Sequence, residues 1–328
     1  MDFNKRMKKV KRHSVFELEK EAFLVWCGTI AKGDDNRYYL YFSFWPKNKG
    51  HKAWVTHSQI GYASSDSPTG PFKYEGIALS GAGGNEWDRD CVHNPTVIKI
   101  DGVYYLYYMG NFGDGEFWSH RNNQRVGVAY SNSPKGPFKR LDKPVIEIDK
   151  NGDDSLAVSN PAVAYKNGKV YMIYKAISAR DELPRGGPVV CKMAIADSPL
   201  GEFKKTPNPI MINPENPWSV EDPCIWYEND RFYSVVKDFQ GYFTKTHTAS
   251  NALFESFDGI DWKPSEIPLA FNLQIEWEDG EIQKLRAMER PQILLDENGK
   301  PQVLCCACSD SSDPERMQSF NVQIELTE

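Results

Sequence analysis

What most constrains the fold of this chain is a hairpin unit that keeps returning along it. In the clearest copy, His93–Asn111, two short runs rich in β-branched and aromatic residues, Thr96–Ile100 and Tyr104–Met109, flank Asp101-Gly102. Asp-Gly between such runs is a strong hairpin signal, because a two-residue turn that matches strand twist wants positive φ at both positions. A third run, Val126–Tyr130, follows. Then comes the punctuation Ser133-Pro134-Lys135-Gly136-Pro137-Phe138.

The unit recurs at Ser159–Tyr174, with its later part at Lys192–Phe203, and at Glu221–Val236, with Ala252–Trp262. A weaker copy is Glu289–Leu304, closed by Phe320–Leu326, and an upstream one runs through Val25–Ile30, Tyr38–Ser43 and Ile60–Phe72. Five all-strand units at this spacing predict an all-β fold, a five-bladed β-propeller, in which each sheet buries its faces on its neighbours. Residues 1–20 are expected to be an N-terminal extension and residues 21–328 a single propeller domain.

Composition bounds the partners. At 328 residues the chain is long for one domain, but all-β folds run long. No apolar run reaches membrane-spanning length, so no membrane partner is expected. A net charge of −6 gives no reason to expect nucleic acid. The seven cysteines (Cys27, Cys91, Cys191, Cys224, Cys305, Cys306, Cys308) form no disulfide framework and read as reduced core thiols. Cys305, Cys306 and Cys308 have no nearby histidine and no zinc spacing, so no metal is expected there. The basic segment Met1–Arg12 lacks the apolar core of a leader and reads as a solvated extension, with a partner-binding arm as the alternative. The chain as it stands reads as cytoplasmic; a secreted form already stripped of a leader would read the same.

In a propeller blade the first strand lines the central channel and the second runs antiparallel to it. The start of the one and the end of the other therefore share a face. The first-strand starts, Trp26-Cys27-Gly28, His93-Asn94, Ser159-Asn160, Glu221-Asp222 and Glu289-Arg290, should ring one mouth of the channel. Phe44-Trp45, Gly110-Asn111, Lys175, Lys237-Asp238 and Ser309-Asp310 should crowd the same mouth from the second strands. Loops leaving it should add Trp54, Asp88, Asp90, Glu116, Trp118, His120, Arg180 and Trp218. Polar residues scattered along the chain thus converge on one concave site, the default place for a ligand.

The repeated X-X-Pro strand starts, the Asp-Gly-X-Tyr-Tyr-Leu-Tyr-Tyr hairpin and the Ser-Pro-X-Gly-Pro-Phe blade endings resemble those of five-bladed propeller glycoside hydrolases. These are the family 43 arabinanase and β-xylosidase type and related families, and the resemblance covers nearly the whole chain. It implies a hydrolase that cleaves terminal sugars from an oligo- or polysaccharide by inversion, without a dissociable cofactor. Such enzymes carry an Asp-Pro in the first blade as general base, an Asp-Pro in the third that tunes the acid, and a Glu-X-Pro in the fourth as general acid. Glu221, in Glu221-Asp222-Pro223, matches the last. The others depart: blade one has Cys27-Gly28 and blade three has Asn160.

Inversion needs a protonated carboxyl on the leaving oxygen and an ionised one facing a water, roughly 6.5–9.5 Å away. Asp90, on the loop entering blade two, is the first choice for the base and Glu289 the second. A turn before a strand explains Asp88 and Asp90 equally well, and an ion pair with Arg286 or Arg290 explains Glu289. Asp153 and Asp154 read as loop residues. An acid role for Glu221 asks for a raised pKa, which Asp222 and apolar walls would supply.

Asn94, Asn160, Asp222 and Asn111 are candidate substrate contacts. His93 should face the channel axis, where it could hold a water, a structural cation or a substrate hydroxyl, or serve the fold alone. Trp45, Trp54 and Trp118 are placed to stack on the C–H face of a sugar or to pack between blades. Lys175, Lys237, Arg290, Arg180 and His93 make the mouth cationic. That suits a uronate or sulfated sugar. It also keeps open a glycoside phosphorylase, in which phosphate replaces water and no base is needed. A carbohydrate-binding propeller without catalysis is the third reading.

Overall fold

The computed structural model describes residues 1–313 and 316–327. Among the described residues the strands form five four-stranded antiparallel sheets, each a blade, and a two-stranded ribbon, Gln274–Glu276 with Ile282–Lys284, between blades four and five. Blade one is Phe23–Lys32, Tyr38–Pro46, Gln59–Ser65 and Lys73–Leu79. Blade two is Cys91–Ile100, Val103–Asn111, Arg125–Ser131 and Lys139–Arg140. Blade three is Ala157–Lys166, Lys169–Ile177, Val189–Ala196 and Lys204–Lys205, and blade four is Val220–Glu228, Arg231–Asp238, Ser250–Ser256 and Lys263–Phe271. Blade five takes Ala287–Leu295, Pro301–Ser309 and Ser319–Glu325 from the C-terminal part, and its fourth strand, Val15–Phe16, from the N-terminal part. The first strands pack on one another in a closed ring around the channel. The five-bladed propeller expected from the repeat is the fold.

Local chemistry explains the regularity. Asp101 and Gly102 both have positive φ (49° and 81°), as the hairpin turn requires, and Asn167-Gly168 repeats the device in blade three. Each first strand also carries one left-handed residue at the equivalent place, Cys27, Asn94, Asn160, Asp222 and Arg290, with φ between 51° and 59°. The pairing register slips at that point in every blade, between His93 and Thr96 in blade two and between Glu221 and Cys224 in blade four, for example. Such a bulge re-aims the side chains at the head of a strand. Asn and Asp tolerate the left-handed region far better than Cys or Arg, so blades five and one hold their conformation against local preference.

Apolar clusters fill the seams between blades. Tyr39 and Tyr41 of blade one pack with Tyr104, Leu106 and Tyr108 of blade two, and Val126 and Val128 of blade two with Met172 and Tyr174 of blade three. Polar tips find partners across the seams. The Tyr41 hydroxyl donates to Pro134 O at 2.5 Å, and the equivalent Tyr107 hydroxyl to Pro199 O at 2.7 Å. The Ser-Pro-X-Gly turns of blades two and three thus each receive a tyrosine from the blade before. The seven cysteines are free and buried.

The first twenty residues are not the solvated extension expected from their charge. Phe3 is fully buried against Trp226 and Phe271, Val10 and Phe16 are in the core, and Val15–Phe16 pairs with Ser319–Glu325. Burying a phenylalanine stabilises by about 1.5–3 kcal/mol. The cations meet acids of blades four and five and of the segment between them: Arg6 pairs with Glu228 at 2.9 Å, Lys8 with Glu325 at 2.5 Å and Lys9 with Glu276 at 2.9 Å. Arg6 is itself buried, while Lys5, Lys8, Lys9, Lys11 and Arg12 form the outward side of a segment anchored by Phe3 and Val10.

Candidate active site at the hub

The five left-handed residues meet as a ring of side chains across the channel. The Cys27 thiol donates to Asn94 Oδ1 (2.8 Å), Asn94 Nδ2 to Asn160 Oδ1 (2.5 Å) and Asn160 Nδ2 to Asp222 Oδ1 (2.5 Å). Arg290 Nη1 closes the circle 4.0 Å from Asp222 Oδ1. All five are buried. Arg290 is 1% exposed, and its three guanidinium nitrogens have no hydrogen-bond partner. Asn94, Asn160 and Asp222 are therefore committed mainly to one another.

One residue earlier in each blade stands a second layer: Trp26, His93, Ser159, Glu221 and Glu289. Antiparallel register sets Lys175 opposite Ser159 and Lys237 opposite Glu221. From there Lys175 Nζ reaches Glu221 Oε2 at 3.2 Å. Lys237 Nζ lies 3.2 Å from Glu221 Oε1 and 2.5 Å from Glu289 Oε1. Two carboxylates from adjacent blades share one ammonium.

This arrangement reverses the expected protonation. Burial pushes the Glu221 carboxyl up, but Lys175 and Lys237 more than offset it and hold it well below the usual carboxylate range. The raised carboxyl is Asp222 next door, lifted by burial and then by the Glu221 charge, with Arg290 only partly opposing. The reason is proximity: the lysines contact Glu221, whereas Asp222 is buried in the ring beside Asn160 and Arg290. Burial lowers Lys237, yet the charges of Glu289 and Glu221 carry it above its ordinary value.

Several expected ligand contacts are buried in the protein itself. Trp45 is 1% exposed, packed against His51 and His93 with its Nε1–H on Gly50 O, and has no face for a sugar. His93 is buried with its ring 5.0 Å from Trp54; its Nδ1 shares a 2.7 Å hydrogen bond with Ser58 Oγ, and its Nε2 lies 3.8 Å from Cys27 Sγ. Burial, then Arg290, keeps it far below the ordinary histidine value, so it adds no charge to the mouth. Asn111 is fully buried too. Its Nδ2 donates to Val55 O, and its Oδ1 accepts from His120 Nδ1, whose Nε2 takes the Gly115 N–H.

The other acids lie apart from the cluster. Asp90 Oδ2 accepts from Gly113 N (2.9 Å) and lies 3.8 Å from Arg89 Nε. Asp88 is buried under the Tyr108 hydroxyl (2.7 Å) and Arg140 (3.0 Å). Asp154 repeats this in blade three with Tyr174 (3.0 Å) and Lys205 (2.6 Å), so it is a buried anchor rather than a loop residue. Arg180 is exposed and pairs with Asp153. Trp118 is 40% exposed on the short helix Phe117–Asn122.

Sequence reasoning missed Arg121. It is buried, donates to Arg185 O at 2.7 Å, and is pushed down to about 10 by burial, with the charge of Glu221 the main opposing influence. It lies on the helix Phe117–Asn122 between the second and third strands of blade two, the connection that in blade one carries the helix Trp54–His57.

A large cavity of about 1230 Å³ opens at the other end of the channel, lined by residues such as Thr96, Lys99, Cys224 and Gln292. Along the first strands the Cys27–Arg290 ring stands between it and Glu221. The titratable cluster is all on the ring's other side.

No family model matches the chain. It is 24% identical over 231 residues to a xylosidase/arabinosidase of Bacteroides ovatus, covering 61% of this chain and 62% of that protein. It is 26% identical over 104 residues to a β-1,2-mannobiose phosphorylase of Thermoanaerobacter sp. (strain X514), covering 30% of this chain and 34% of that one. The chain thus spans less than two thirds of the length of these curated relatives. Among solved structures it superposes on a family 117 glycoside hydrolase of the marine bacterium Zobellia galactanivorans, with a TM-score of 0.67 and 19% identity, over 98% of this chain and 89% of that one. The fold is thus that of known five-bladed propeller glycoside hydrolases.

Proposed function

We propose that the chain is a glycoside hydrolase that releases terminal sugars from an oligo- or polysaccharide at the Glu221–Glu289 cluster. The observation that carries this reading is the pair of carboxylates from adjacent blades joined by Lys237, with Glu221 in the Glu-X-Pro setting of a propeller acid. Similarity to a xylosidase/arabinosidase supports it.

Without ligand Glu221 is held ionised. A glycosidic oxygen entering between Glu221 and Lys175 displaces one ammonium; burial then reasserts itself and the carboxyl takes up a proton. In the reaction that proton passes to the glycosidic oxygen as its bond to the anomeric carbon breaks. Water adds to that carbon and loses a proton to Glu289. The two oxygens on Lys237 lie 3.2 Å and 2.5 Å from one nitrogen, which keeps them no more than 5.7 Å apart. That is nearer the retaining separation of roughly 5–5.5 Å than the inverting one of roughly 6.5–9.5 Å, so inversion requires Lys237 to release one carboxylate. Proton NMR of the first anomer formed from arabino- or xylo-oligosaccharides decides between them. Absence of turnover on both series, and on manno-oligosaccharides, would overturn the hydrolase reading.

A second reading, phosphorolysis, is favoured by one observation: Lys175 and Lys237 gather two cations at a mouth whose first blade lacks the Asp of a hydrolytic base. The partial similarity to a mannobiose phosphorylase points the same way. Products formed with and without inorganic phosphate separate the two, a sugar 1-phosphate marking the second.

A further inference from the structure

We propose that a hollow between blades two, three and four is the subsite for the sugar next to the one held at the hub, and that it takes a neutral pentose or hexose unit. This rests on the glycoside-cleaving reading above. The hollow has a volume of about 610 Å³ and is walled by Trp118, Leu183, Arg185, Trp218, Phe239 and Gln240. Small-molecule sites span roughly 300–1,000 Å³.

Its place follows from the topology. Trp118 comes from the insertion after the second strand of blade two, Leu183 and Arg185 from the loop after that of blade three. Trp218 precedes the first strand of blade four, and Phe239 and Gln240 follow its second strand. All of these loops leave the Glu221 face.

Two contacts join the hollow to the hub. Lys237 Nζ, which binds both Glu221 and Glu289, stands 4.9 Å from the centre of the Phe239 ring. Arg121, whose charge is felt by Glu221, donates to Arg185 O and stands over the Trp118 ring at 5.6 Å. A saccharide with its terminal unit at Glu221 therefore continues over Phe239.

The walls suit a sugar. Trp218 meets Phe239 edge-on at 5.6 Å, and the Arg185 guanidinium covers Trp218 at 4.6 Å, so the aromatic surface is fixed before a ligand arrives. Asn122 Nδ2 donates to Pro184 O at 2.9 Å and pins the blade-three loop to the helix carrying Trp118. The C–H face of a sugar packs well on such rings. Gln240 Oε1 is buried there without a hydrogen-bond partner, an acceptor suited to a sugar hydroxyl. Asp181 and Glu182 outnumber Arg185 along the walls, so a carboxylate or sulfate gains nothing here.

The test measures binding rather than turnover. The Glu221→Gln variant of the 328-residue chain is titrated calorimetrically with xylose and xylobiose, arabinose and α-1,5-arabinobiose, and mannose and β-1,2-mannobiose. In the series that binds, the disaccharide should bind about tenfold tighter than its monosaccharide, and Trp118→Ala or Arg185→Ala should cut that ratio to about threefold or less. Trp118 is exposed enough that its truncation should leave the fold intact, and Arg185→Ala gives an independent reading. A ratio near one in the parent, or one unchanged in both variants, overturns the subsite and leaves the glycoside reading standing. No binding in any series overturns both.

Discussion

Lys237 and Glu289, contributed by neighbouring blades, meet at 2.5 Å, and the same ammonium lies 3.2 Å from Glu221. Without Lys237, burial of Glu221 would be opposed chiefly by Lys175. A carboxyl depressed in the fold stabilises above its unfolded pKa, and that contribution is lost as pH falls through the folded value. In Lys237→Met the loss should begin earlier on acidification. The acid-unfolding midpoint, followed by circular dichroism, should rise by about one pH unit. An unchanged midpoint would mean that the lysine does not set the Glu221 charge.

Asp222 carries the opposite sign. Its folded pKa is raised, by burial and then by Glu221, so its contribution is fully present below the ordinary carboxylate pKa and lost as pH rises through the raised value. Melting temperature should therefore fall from mildly acidic to neutral pH more steeply in the native protein than in Asp222→Asn, which cannot ionise. Parallel melting curves for the two would contradict the assignment.

If the cluster cleaves glycosides, Glu221→Gln should lower kcat by about 10³-fold or more while a saccharide still binds. Glu289→Gln should lose about 10²-fold or more, whereas Asp90→Asn, engaged with Gly113 and Arg89, should stay within about tenfold of the parent. Steady-state rates on one oligosaccharide suffice. A large loss in Asp90→Asn with little change in Glu289→Gln would move the second carboxyl role to Asp90.

Arg6 and Glu228 are both buried, paired at 2.9 Å, and Arg6 Nε also donates to Thr327 O at 2.8 Å. Breaking such a pair leaves one buried charge alone, at a cost of about 3–5 kcal/mol. Arg6→Met should show this as a clear fall in the denaturant midpoint, while Lys5→Met, whose cation is exposed, should not. Equal midpoints would return the N-terminal segment to a peripheral role.

The wheel was legible because its signals are local and repeated. Asp101-Gly102 fixes a turn by backbone preference alone, and the X-X-Pro starts fall at equivalent bulges. Register then carried Glu221, Glu289, Lys175 and Lys237 to one mouth. Their charge state was not legible, since Lys175 reaches Glu221 from another blade and no spacing along the chain encodes that distance. Burial was harder still. Trp45 and Asn111 end second strands at the mouth as expected, yet the segments at 51–57 and 117–122 cover them. Arg121, Arg185 and Gln240 lie on the connections between second and third strands, whose sequences differ from blade to blade, so comparison between repeats offers no guide.

Because the fifth blade borrows Val15–Phe16 for its outer edge, the circle is joined by residues translated more than three hundred positions apart. On a ribosome, the opening segment must wait without its partner strand while four complete blades emerge. Until Ser319–Glu325 clears the exit tunnel, the nascent protein is an open arc with apolar flanks at both ends. That interval is when a chaperone would matter most, and when two arcs could wrongly close on each other.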